Sequence, residues 1–180
     1  MANVDEFSRT LIEEAKRFYE KALGETDQEG KTAYLHGALV LGFCAFEAYI
    51  NAIADDFLDN QTLPIHEKAI LSEKDVILEN GAFGLSNQLK MYRLEDRIQF
   101  LYRRFSGNPF DKDSLWWNNL KAGINTRNKL THPKEMIPIP ESMVKNSIQS
   151  IIDALDTLYK AIYNREYPPA RRGLHSTMSF

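Results

Sequence analysis

Ala38-Leu39-Val40-Leu41-Gly42-Phe43-Cys44-Ala45-Phe46-Glu47-Ala48-Tyr49-Ile50-Asn51-Ala52-Ile53 is apolar on nearly every side, with Glu47 and Asn51 as its polar interruptions. A strand of this length would be exceptional, and a helix that is apolar all round is one that others surround. The stretch therefore predicts a central, deeply buried helix running from about Thr32 to Asp59. Its interruption by Glu47 and Asn51 leaves no apolar run of the roughly 20 residues that a membrane span needs.

Outward from this helix the periodicity stays helical. Phe7, Leu11, Ala15, Phe18 and Ala22 recur at helical spacing within Asp5 to Leu23, whose opposite face is charged and expected to be wet. A turn is expected around Thr26 to Gly30. Pro64 suits the first turn of a short helix through Ala69 and Leu71, and Asn80 to Gly84 breaks the pattern. Residues 72–88 read as a short irregular insert. Helical spacing resumes from Leu89 to Phe105, stops at Ser106-Gly107-Asn108-Pro109, restarts near Ser114 and ends at His132, because Pro133 disfavours helical backbone in the residue before it. A last amphipathic helix covers Glu141 to Tyr163. The expectation is an all-α bundle of one domain, residues 1–165, with an irregular tail over 166–180.

The chain has 180 residues, 43% hydrophobic and 26% charged, which suits a single core and argues against wholesale disorder. Its N-terminal residues lack the basic and apolar regions of a secretory signal, so a cytoplasmic location is expected. Cys44 is the only cysteine, which excludes an intrachain disulfide. The net charge of −3 argues against a protein coated for duplex binding and restricts any nucleic-acid site to a local groove.

Two polar residues stand where the pattern calls for apolar ones. Residues of a helix turn by about 100° each, so Trp116, Leu120, Gly123, Ile124, Arg127 and Leu130 form one stripe with Arg127 inside it. A guanidinium directed at a core needs a carboxylate. Val40, Phe43, Cys44, Glu47, Asn51 and Ala54 share a face of the central helix, so Glu47 is expected opposite Arg127. Such a pair either ties two helices together or orients Arg127 at the floor of a cleft. Asn128 and His132, four apart, share a face. His132 lies about 140° around and about 7.5 Å along from Arg127 in a regular helix. Convergence of the two needs either an unwound last turn before Pro133 or two chains meeting about a two-fold axis. A histidine there can also simply complement the helix C-terminus.

Arg127, Asn128, three further residues and His132 resemble the signature of the HEPN (higher eukaryotes and prokaryotes nucleotide-binding) family, and Gly42 to Asn51 is similar to its other recurrent helix. The likeness spans about Thr32 to Tyr163. It implies a HEPN-like helical bundle and a metal-independent endoribonuclease, often a toxin or antiviral component that forms a homodimer with the motifs at the interface. By the resemblance His132 does acid-base work, Arg127 binds the phosphate, Asn128 orients, and Glu47 supports Arg127. No cofactor and no metal are implied; RNA is the substrate and a cognate antitoxin a possible partner. Some family members carry a tyrosine two residues past the histidine as a nucleotide acceptor; here Lys134 stands there. The chemistry suits RNA, which carries its own nucleophile in the 2′-hydroxyl, while imidazole exchanges protons near neutral pH and an arginine fork stabilises the crowded phosphorus.

Other features bear on RNA binding. In a helix from Leu89 to Phe105, Lys90, Arg93, Arg97 and Arg104 would fall within about 60° of one another, either as a track for phosphates or as a solvated face. Lys129 adds a cation inside the motif. Trp116 and Trp117 have base-stacking rings, but their place at a helix start favours packing, for Trp116 above all. Asp55, Asp56 and Asp59 read as a solvated helix end, and His36, His66 and His175 are too scattered for a metal site. Arg171 and Arg172 lie in the tail.

Overall fold

The computed structural model describes residues 4–180, and the side chains from residue 6 onward. Helices make up 66% of the chain, in the order α1 (Val4–Gly24), α2 (Gln28–Leu58), α3 (Ile65–Ser72), α4 (Leu94–Ser106), α5 (Leu115–Thr131) and α6 (Glu141–Tyr163), with strands β1 (Lys74–Glu79) and β2 (Ala82–Leu89) between α3 and α4.

The central helix begins at Gln28, earlier than its apolar pattern suggests, because Asp27 caps it by accepting from the Gly30 N–H at 2.7 Å. By length and hydropathy alone α2 is long and apolar enough to cross a bilayer. Its apolar surface is instead taken up by its neighbours: Phe43, Phe46, Ile50 and Ile53 are buried together with Ile12 of α1, Ile98 and Leu101 of α4, Leu120 and Ile124 of α5, and Ile148, Ile151 and Leu155 of α6. Each such side chain contributes about 1.5–3 kcal/mol on leaving water. Burial is not uniform around α2, for Cys44 and Asn51 are exposed and Val40 and Ala48 half-buried.

The expected irregular insert is an antiparallel hairpin. Asn80 and Gly81 both adopt positive φ, 51° and 79°, as a two-residue hairpin turn requires, and Leu78 pairs with Phe83 across it. The apolar run Val76-Ile77-Leu78 before Asn-Gly is the signal for this element. The hairpin consumes the residues assigned to the start of the next helix, so α4 begins at Leu94 rather than near Leu89.

The tail has one 3-10 turn, Pro168–Arg172, and is otherwise irregular, yet it is packed onto the bundle. Tyr167 is buried between Tyr49 and Tyr159. Beyond it, Arg172 and the Thr177 N–H both reach Glu13, and the Ser176 hydroxyl donates to the Glu13 carbonyl. Part of the charged face of α1 is consequently dry. Glu13 and Lys16 are buried, with Lys16 donating to Glu13 at 3.3 Å. The buried stripe of α1 is also rotated from the expected one, to Ser8, Ile12, Ala15, Tyr19 and Ala22, leaving Phe7 exposed.

Candidate active site

Helix α5 sets the position of the motif through its glycine. A Cβ on Gly123 would stand 2.6 Å from Ser147 Oγ and 2.9 Å from Phe43, so only glycine lets α5 approach α2 and α6 this closely. One turn further on, Arg127 lies against α2 with its guanidinium over the Phe43 ring, 5.5 Å from the centroid. Its Nη2 donates to Glu47 Oε1 at 2.5 Å. The side chains are 22% and 42% exposed, which makes this a boundary pair rather than a core one. Arg127 Nε is enclosed and has no acceptor among the described residues, so Glu47 alone does not satisfy the guanidinium.

The stripe preceding Arg127 is buried as Trp117, Leu120, Gly123 and Ile124. Trp117 is the deeper of the two tryptophans; Trp116 is half-buried, and both rings meet Phe110 edge-on at 4.8 and 5.8 Å. Packing therefore occupies both.

His132 ends α5. Its φ of −128° and ψ of 64° leave the helical region, while its N–H still donates to the Asn128 carbonyl at 3.0 Å. Pro133 enforces that departure by excluding the helical conformation from the residue before it. The imidazole is exposed, as is Asn128. Arg127, Asn128 and His132 line one cavity of about 410 Å³ together with Glu47, Tyr92 and Arg93. Asn128 and His132 also border a second cavity of about 500 Å³, shared with Lys129, Lys134 and Ile137. His132 thus stands on the ridge between two hollows.

The four cations expected on one helical face do not share one. Lys90 and Arg93 precede α4. Lys90 is held by Asp75 of β1 at 2.8 Å. Arg97 is 5% exposed and ties α4 to α2 through Asn51 Oδ1 at 2.8 Å and to the end of α3 through Glu73 at 3.1 Å and the Leu71 carbonyl at 3.3 Å. Burial pulls its pKa down, opposed by Glu73, Glu47 and Asp55. Arg104 pairs with Glu67 at 2.8 Å. Arg97 is accordingly a structural arginine, and of the four only Arg93 both lines the cavity and points largely into solvent.

No family model, curated protein sequence or solved structure matches the chain.

Among the other candidates, Asp56 accepts from the Tyr163 hydroxyl, and Arg172 is used by Glu13 inside the chain. No three His, Cys, Asp or Glu side chains gather as a metal site among the described residues. Met91 and Tyr92, which helical periodicity did not mark, also line the cavity shared by Arg127 and His132, placed there by the segment after the hairpin whose Asn80-Gly81 turn is its sequence signal.

Proposed function

We propose that the chain is a metal-independent endoribonuclease of HEPN type, acting in the cytoplasm as a homodimer and serving as the toxin or antiviral component of a system with a cognate antitoxin. The observation that carries this reading is the common cavity wall formed by Arg127, Asn128 and His132, with His132 turned off the helical path by Pro133. The last turn of α5 keeps its hydrogen bond from the His132 N–H to the Asn128 carbonyl, so this reading takes the other route by which the arginine and the histidine can act on one phosphate, the pairing of two chains. The second copy would bring its own cleft to face this one.

In this reading the RNA 2′-oxygen attacks the adjacent phosphorus as His132 takes its proton, and a P–O bond forms. Arg127 stabilises the charge gathering on the non-bridging oxygens, and Asn128 orients the phosphate. The bond from phosphorus to the 5′-oxygen then breaks, and His132 of the second copy, in its protonated form, supplies the proton to that oxygen. The products are a 2′,3′-cyclic phosphate and a 5′-hydroxyl.

The test is cleavage of a mixed RNA pool in chelator. Loss of the imidazole in His132→Ala is expected to slow cutting by about 10²–10⁴-fold in a protein with an unchanged unfolding midpoint, and sedimentation should return a dimer. Undiminished cutting by His132→Ala, or a monomer of full activity, would overturn the assignment. A second reading, a non-catalytic helical module that binds protein or RNA, is favoured by the engagement of Arg127 with Glu47; binding or dimerisation with no cutting would select it.

A further inference from the structure

The corner from the end of β2 to the start of α4, Leu89 to Arg93, is exposed apart from a half-buried Tyr92. Leu89 and Met91 are 72% and 81% exposed, and two cations, Lys90 and Arg93, are interleaved with them and with Tyr92. Large apolar and aromatic side chains alternating with cations are what single-stranded nucleic acid binds, since bases stack on rings and phosphates seek charge.

The corner is also held in place. The Lys90 N–H donates to the Glu73 carbonyl at 2.7 Å, closing the base of the hairpin. Lys90 Nζ lies 5.7 Å from the Tyr92 ring centroid while bonded to Asp75, so the ring is propped by a cation that is itself anchored. The cavity that Tyr92 and Arg93 line is also lined by Arg127, Asn128 and His132.

Charge accounting inside the cavity singles out one residue. Arg127 is engaged by Glu47 and Arg97 by Glu73. Among the described residues Arg93 has only Glu95, at 3.4 Å, and its side chain is 74% exposed. A volume of about 410 Å³ lies in the range of small-ligand cavities and suits one nucleotide with its base splayed out, not a duplex, in which the bases face each other.

We propose that this corner is the wall that holds the RNA nucleotide beside the bond to be cut, Tyr92 stacking its base and Arg93 binding its phosphate, which makes single-stranded RNA the substrate class. The inference rests on the ribonuclease reading for the identity of the neighbouring site. It gives the cleft two unlike walls: a reactive one on α5 and a gripping one built by the hairpin.

The test uses the full chain and a short single-stranded RNA methylated at its 2′-oxygens, which binds but offers no nucleophile, read by fluorescence anisotropy. Tyr92→Leu is expected to raise Kd about tenfold, in line with one lost stacking contact, and Tyr92→Phe, which keeps the ring, to recover most of it. Arg93→Met should raise Kd about fivefold and reduce the salt slope by about 0.7, one phosphate contact on a single strand. Arg171→Ala, a cation removed from the tail, serves as the control for general charge. On cleavable RNA, KM should rise in Tyr92→Leu and Arg93→Met while kcat is retained. Unchanged Kd in both variants, with cutting still dependent on His132, would overturn the gripping wall and leave the ribonuclease reading standing. Tight binding through Tyr92 and Arg93 with no cutting by the parent would do the reverse. Equal losses of kcat and unfolding midpoint in the two variants would mark the corner as structural and overturn the proposal.

Discussion

Arg127 sits at a compromise between structure and chemistry. Its guanidinium lies over the Phe43 ring and its Nη2 faces Glu47, so the residue contributes packing as well as charge. Because Glu47 is more than a third exposed, solvent screens the pair and its net worth is modest. A double-mutant cycle of Glu47→Ala and Arg127→Ala, followed by urea unfolding, should return a coupling of about 1 kcal/mol or less. A coupling of several kcal/mol would instead mark a core ion pair whose purpose is stability. If Arg127 serves the phosphate, Glu47→Ala should reduce cutting far less than Arg127→Ala, because it frees the guanidinium without removing it.

At the scale of elements, the hairpin is the part of the fold that owes least to the core. Its turn depends on two residues at positive φ, and Gly81, at 79°, meets nothing around it. Adding a side chain there is therefore a backbone matter, costing about 1–2 kcal/mol for a left-handed residue with a Cβ. Gly81→Ala should accelerate amide exchange throughout β1 and β2 while the exchange of α2 and α6 is unaltered. Uniform acceleration across the bundle would show that the hairpin unfolds only with the core. The same substitution probes the cleft from a distance, since loosening β2 loosens the corner that carries Tyr92 and Arg93.

Across the whole molecule, the tail and α1 are joined by a buried ionic cluster. Burial alone would push the Glu13 carboxyl up, but the Arg172 side chain, the Thr177 N–H and Lys16 outweigh it and hold the carboxyl below its ordinary value. Lys16 is itself held low by burial, against the pull of Glu13. A depressed carboxyl contributes stability that is present above its unfolded-state pKa and disappears as the pH falls through the folded-state value. The chain should thus lose stability on acidification below the usual carboxylate range, and Glu13→Gln should flatten that loss. Glu13→Ala leaves Lys16 buried without its carboxylate and should cost about 3–5 kcal/mol, read as a fall in urea midpoint with faster proteolysis at Arg171 and Arg172. A midpoint unchanged by Glu13→Ala would mean that the tail docks without the Glu13 carboxylate, through Tyr167 and the contacts of Ser176 and Phe180 with α1.

The helical framework was legible residue by residue. Phe43, Phe46 and Ile50 repeat at helical spacing, Pro133 ends a helix by sterics, and a lone arginine in an apolar stripe called for the carboxylate that Glu47 supplies. These are local rules, and a local rule is visible in a linear sequence. Residues 72–88 obey a different local rule, since Asn80-Gly81 turns them into a hairpin, and this moves the start of α4 to Leu94 and keeps Lys90 and Arg93 off the helix face that periodicity assigns them. Other features could not be read at all. That Glu13 and Lys16 are dry depends on residues 172–177 folding back across more than a hundred and fifty positions. That Arg97 is structural depends on Asn51, Leu71 and Glu73 converging on it. Burial of a charge is a property of what packs over it, so the chain's periodicity determined which elements form, and only the tertiary structure decided which of its cations remain free to meet a phosphate.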